Sequence, residues 1–131
     1  MRMFFYAVDE KGSYKGTLFD DVDLPIRPMV GEHYQWNSLI IGSAICKIDD
    51  LSIVEDILEV DNHDLANLIC EQIKVGNLSF LLRNNSENWK KIASYCKVYE
   101  TYFSISTFDN DRECILCVGL QKDEEWYEQH K

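Results

Sequence analysis

Across the stretch DDLSIVEDILEVDNHD, from Asp49 to Asp64, the sequence has no lysine or arginine, against seven carboxylates and one histidine. Cations are scarce throughout: 13 basic residues face 23 acidic ones, and the formal net charge is -10. Phosphate contacts from Lys and Arg supply most non-specific affinity for nucleic acid. With Lys90-Lys91 as its densest basic spot, the chain is not expected to bind nucleic acid directly. Anionic membrane surfaces are disfavoured for the same reason. Long hydrophobic runs are also missing. Segments such as Leu39–Ile41 and Ile115–Leu116 fall far short of the ~20 residues that span a bilayer. The short apolar run ending at Val8 meets Asp9-Glu10 at once and has no small-residue cleavage site. It reads as a strand rather than a signal peptide, and the expected compartment is the cytosol.

Other absences narrow the chemistry. The five cysteines (46, 70, 96, 114 and 117) are odd in number and mostly sit in apolar segments, which fits buried free thiols better than a disulfide framework. Neither GxSxG nor GxGxxG occurs, and Gly12-Ser13-Tyr14-Lys15-Gly16 lacks the phosphate-loop pattern. Cys114-Ile115-Leu116-Cys117 is a CxxC without the second pair that a structural zinc needs. On a strand its two sulfurs would point to opposite faces. Asp109-x-Asp111-x-Glu113 opens like a calcium loop, but Cys114 and Leu120 stand where such a loop needs Gly and Glu. His63, beside Asp61 and Asp64, reads as a histidine in a polar turn at a helix start rather than a metal ligand. No metal and no cofactor are expected.

What is present describes a folded domain. A chain of 131 residues with 16 aromatics (3 Trp, 7 Tyr, 6 Phe) fits one domain and can bury a sizeable core. Residues 3–8 read as a strand with both faces covered, Thr17-Leu18-Phe19 as a short second strand, and Leu39 to Ile48 as a further one. Ser52-Ile53-Val54-Glu55 has the form of a capping box, and Ile53, Val54, Ile57, Leu58 and Val60 segregate to one side of a helix. Its β-branched residues leave a strand as the alternative. Residues 64–74 predict a helix with Leu65, Leu68, Ile69 and Ile73 as its apolar stripe, and Gly76 is placed to end it. Leu78 to Arg83 reads as a short strand. A helix begins near Asn84-Asn85-Ser86, with Trp89, Ile92, Ala93 and Cys96 at helical spacing. Tyr99–Phe108 and Glu113–Leu120 predict a hairpin around Asp109-Asn110-Asp111. The expected fold is α+β: a largely antiparallel sheet of five or six strands with about three helices.

The acid-rich stretch then needs an account. Exposed helices usually intersperse charge signs, because opposite charges at i,i+4 stabilise by ~0.2–0.5 kcal/mol and like charges cost as much. Glu55 and Glu59 are a like pair. Further acidic runs occur at Asp20, Asp21 and Asp23 and at Asp123-Glu124-Glu125, the last beside Trp126. Such a field attracts a basic partner and speeds encounter. The expectation is an interaction protein that binds and neutralises a basic protein. Its most concrete form is an immunity protein blocking a nuclease toxin, and a mimic of nucleic acid is another. Asp20, Asp21, Asp23, Glu55, Asp56 and Glu59 would pair with the partner's cations, and Trp126 or Trp36 would fill a pocket. The competing expectation is a small enzyme with a pocket around residues 25–38, where His33 acts as general base beside Glu32 and Tyr34. A third is a subunit whose acidic face is simply its outside.

Overall fold

The computed structural model describes residues 2–36, 54–55, 61–74, 86–108 and 111–130. The expected strands over 39–48 and 78–83, and the turn at Asp109-Asn110, lie outside them. The described elements are β1 (Arg2–Val8), β2 (Tyr14–Asp23), α1 (His63–Lys74), α2 (Ser86–Ala93), β3 (Tyr95–Phe108), β4 (Asp111–Lys122) and α3 (Glu124–His130). The class is α+β.

Among the described residues two hairpins build the sheet, in the order β2-β1-β4-β3. The β1–β2 and β3–β4 pairs are antiparallel, as expected, but β1 and β4 run parallel, from Met3 opposite Leu116 to Val8 opposite Gln121. A parallel pair requires a long connection. Here the entire chain between the two strands supplies it, including α1 and α2.

Alternation assigns the two faces. Met3, Phe5 and Ala7 of β1 and Leu116, Val118 and Leu120 of β4 point into the main core. Ala66 and Cys70 of α1, Ile92 and Ala93 of α2, Val54 and Trp36 close it. Val54 and Glu55 have helical backbone, in keeping with the capping-box reading at those two positions. β2 is longer than the three residues expected. The register shift between Phe5–Phe19 and Tyr6–Thr17 leaves Leu18 as an extra residue. That bulge sends Leu18 and Phe19, adjacent in sequence, into the same core. In the β1–β2 turn, Gly12 has φ of 85° and sits where a Cβ would meet the Tyr99 hydroxyl, so both backbone and space demand glycine.

The expected helix through Cys96 stops early. Ser94 N–H bonds the Lys90 carbonyl at 2.9 Å and its hydroxyl bonds the Lys91 carbonyl at 2.5 Å, closing the last turn. Tyr95 then opens β3, and Cys96 belongs to a strand. The run of aromatic and β-branched residues that follows favours extended backbone. The charged tail forms α3. Asp123 caps it, accepting the Trp126 N–H on its side chain at 3.1 Å and the Tyr127 N–H on its carbonyl at 3.0 Å.

On the second face, Tyr6, Val8 and Cys117 are buried among Phe4 and Ile115, and no described helix contributes to this cluster. The Tyr6 hydroxyl crosses β4 above Gly119 and donates to Glu100 of β3 at 2.5 Å. A Cβ on Gly119 would lie 3.0 Å from both the Tyr6 ring and the Glu100 side chain. Gly119→Ala should therefore destabilise the protein. Crowding costs about 1–3 kcal/mol and exceeds the roughly 0.4–1 kcal/mol gained from a less flexible unfolded chain. A lower urea midpoint with unchanged slope would show it; an unchanged midpoint would mean that the Tyr6–Glu100 bridge yields freely.

Candidate interaction surface

The C-terminal end of the acid-rich stretch, from Asp61, leads into the start of α1. Asn62 is the cap: its side-chain oxygen accepts the N–H groups of Asp64 at 2.9 Å and Leu65 at 3.3 Å. Asp64 then stands in the first turn, where the positive end of the helix dipole favours a carboxylate. His63 turns back to Glu55, with Nδ1 3.2 Å from its carboxylate. Neighbouring Asp61 and Asp64 are exposed.

The helix sits about one residue, or ~100° of rotation, away from its expected orientation. Ala66 and Cys70 face the core and Ile69 packs partly against it, whereas Leu65 and Leu68 are 48% and 53% exposed. The small side chains at 66 and 70 let α1 lie against the sheet, and the bulkier leucines are left on the flank and the outside. The outward surface of α1 thus carries Asp64, Leu65, Leu68 and Glu71, with exposed Asp61 just before its cap. The cation gap is also longer than the opening stretch suggests, because no Lys or Arg occurs from Ile48 to Ile73. Among the described residues, the side-chain partner shown for this surface is His63, through Glu55. Sequence reading did not single out the acids and leucines of α1 as one surface; the continued absence of Lys and Arg was the available signal.

Each of the other two acidic runs has a Lys or Arg beside one of its members, Arg2 opposite Asp23 and Lys122 beside Glu124. Asp20 and Asp21 lie in β2, and Asp23 stands directly opposite Arg2, which also bonds Glu113 of the calcium-like motif. Asp123 bonds His33 at 2.9 Å, and Lys122 reaches Glu124 at 3.6 Å. Asp23 and Trp126 are at opposite ends of the β1–β4 ladder, separated by a strand of ~20 Å, so they do not form one patch. Trp126 stacks on His130 at 4.2 Å between ring centres and packs partly on the core. Trp36 cannot anchor a partner. It is buried against Phe5, Phe19 and Tyr34, and its Nε1 donates to the Tyr95 carbonyl at 3.2 Å. Asp56 and Glu59 lie outside the described residues.

The loop proposed for an enzymatic pocket is held as an extra strand segment on the edge of β3. Gly31 N–H bonds the Val98 carbonyl, Val98 N–H bonds that of Glu32, and Tyr34 N–H bonds that of Cys96, at 2.7–2.9 Å. Successive side chains alternate sides. Glu32 accepts the Met29 N–H at 2.6 Å and is 3.5 Å from the Tyr34 hydroxyl, while His33 turns to Asp123. The trio His33, Glu32 and Tyr34 is therefore split. A cavity of about 420 Å³ lies elsewhere, and its lining among the described residues includes Val8, Glu10, Lys15, Tyr95, Gln121 and Lys122 and none from 25–36. Its polar groups largely satisfy one another: Lys15 donates to the Tyr95 hydroxyl at 3.3 Å and the Gln121 amide to the Asp9 carbonyl at 3.1 Å. The Asp9 carboxyl is held below its usual range by the Ser13 N–H, with that of Lys11 adding to the effect.

The cysteines follow strand geometry. Cys117 is buried on the second face and Cys114 is exposed; both are free thiols, as are Cys70 and Cys96. Burial, reinforced by the negative charge of Asp123, pushes the Cys96 thiol up to about 11. A thiol at that value is nearly all protonated at neutral pH and is not an activated nucleophile for His33. Alkylation at mildly alkaline pH should label Cys114 well before Cys70, Cys96 and Cys117, as read by peptide mass mapping; early labelling of Cys96 would contradict its burial. Because the folded-state value of Cys96 is raised, its contribution to stability is complete below about 9 and is lost as pH climbs through about 11.

Comparison of the chain with family models, curated proteins and solved structures finds no match.

Proposed function

We propose that this protein works by binding: its acidic surface captures a basic protein and occludes the region that the partner uses. One observation carries the reading. The stretch without Lys or Arg continues into α1, and Glu55, Asp61, Asp64 and Glu71 meet no Lys or Arg among the described residues, while Glu113 and Glu124 at the two ends of the sheet stand beside Arg2 and Lys122. A solvated helix face needs no such exclusion, since mixed signs stabilise it better. Like charges in one region lower stability and accelerate encounter with a cationic partner.

A nuclease toxin held by its immunity protein is the most concrete form of this function. A protein that handles nucleic acid carries a positive field, and blocking it takes a surface of opposite sign. The site of that surface moves from the three acidic runs of the sequence to Glu55 and α1. The immobilised protein, exposed to native lysate and washed with rising salt, should release a strongly basic polypeptide at moderate ionic strength. The same polypeptide should be absent when Glu55, Asp61 and Glu71 are lysines. Capture of only neutral or acidic proteins, or equal capture by that variant, would refute the reading.

A further inference from the structure

We propose that the outward surface of α1 is the docking surface and that its occupant is a basic amphipathic helix of the partner. The inference rests on the function proposed above and adds to it the shape of what is bound. Leu65 and Leu68 are one turn apart, so they stand side by side along the helix. Leu68 points almost directly away from the core-facing residues Ala66 and Cys70 and is 53% exposed. Asp64 and Glu71, two turns apart, flank this apolar strip on one side, and Asp61 extends it at the start. The strip and its acidic border run along a helix axis, over ~15 Å for ten residues.

That shape and charge select among occupants. A second copy would bring a chain of net charge -10 against the same acidic border. Nucleic acid and anionic lipid are repelled in the same way. A helix with apolar residues at i, i+3, i+4 and i+7 and Lys or Arg beside them satisfies both features. Its apolar stripe covers Leu65 and Leu68, its cations meet Asp61, Asp64 and Glu71, and the two helices pack along their ridges. This is helix-on-helix packing with charge setting the register.

The test uses the full chain and a synthetic peptide of leucines at i, i+3, i+4 and i+7 with lysines elsewhere. A peptide of identical composition with scrambled order is the control. NMR titration should perturb amides of residues 61–72 foremost, and the scrambled peptide should bind about ten-fold more weakly or worse. Leu65→Ser with Leu68→Ser should cost about ten-fold in affinity while the circular dichroism and Tm stay near wild type, because both positions are half-exposed. Asp61→Asn, Asp64→Asn and Glu71→Gln together should weaken binding further and flatten its salt dependence. Perturbations centred elsewhere, no binding, or equal affinity for both peptides would overturn the docking surface. If the leucine variant binds the native basic partner as wild type does while the charge variant loses it, acidic capture stands and the helical occupant is refuted.

Discussion

Lysine at Glu55, Asp61 and Glu71 is expected to slow association with the basic partner by about ten- to a hundred-fold, with a much smaller change in dissociation. Each substitution alters the local charge by two, within a region that has no Lys or Arg from Ile48 to Ile73. The effect acts at a distance, before contact, so the encounter rate carries it. Fold stability should change little. Asp61 and Glu71 are exposed, surface substitutions usually fall within about 0.5 kcal/mol, and the solvent-screened Glu55–His63 pair contributes little. Asp64 is left in place because it faces the helix dipole. Rapid-mixing kinetics would measure the rates, and a variant that associates at the wild-type rate would remove α1 from the interface.

Trp36→Ala is expected to cost about 3–5 kcal/mol of stability. The side chain is 7% exposed and touches Phe5 edge-on at 5.1 Å, Phe19 at 4.5 Å and Tyr34 at 5.8 Å between ring centres. Truncation leaves a cavity walled by rings from β1, β2 and the loop beside β3, and it leaves the Tyr95 carbonyl without its Nε1 donor. Trp36→Phe separates the two losses: it keeps most of the ring contacts and gives up the hydrogen bond, at about 1–3 kcal/mol. Urea denaturation of both variants gives the difference. Partner affinity per folded molecule should be unchanged in Trp36→Phe, since the indole is inside; a selective loss of binding would place it at the surface after all.

The local signals in the sequence were strong where periodicity and caps agree. The alternation of Tyr99–Phe108 and Glu113–Leu120 marks β3 and β4, and Asn62 with the apolar spacing after it marks α1. Long-range facts were not legible. Nothing local states that β1 lies parallel to β4, more than a hundred residues away, or that Arg2 finds Glu113 and His33 finds Asp123. Those pairings decided which acidic runs have cations beside them. The rotation of α1 was hidden because Ala66 and Cys70 look unremarkable beside Leu65 and Leu68, and an apolar stripe drawn through the larger residues has equally good helical spacing. The bulge at Leu18 likewise breaks the alternation that strand reading depends on. Trp36 sits among polar neighbours in an irregular segment, which disguised a core residue as a surface anchor.

The central claim is that an uncompensated negative surface around α1 recruits a cationic protein. The salt dependence of the association rate with the captured partner tests it most directly, measured between about 0.05 and 0.5 M monovalent salt, where the screening length falls from ~14 to ~4 Å. The wild-type rate should fall steeply over that range, and the Glu55, Asp61 and Glu71 lysine variant should show a much flatter line. A wild-type rate that ignores salt, or the same slope in both proteins, would contradict the account.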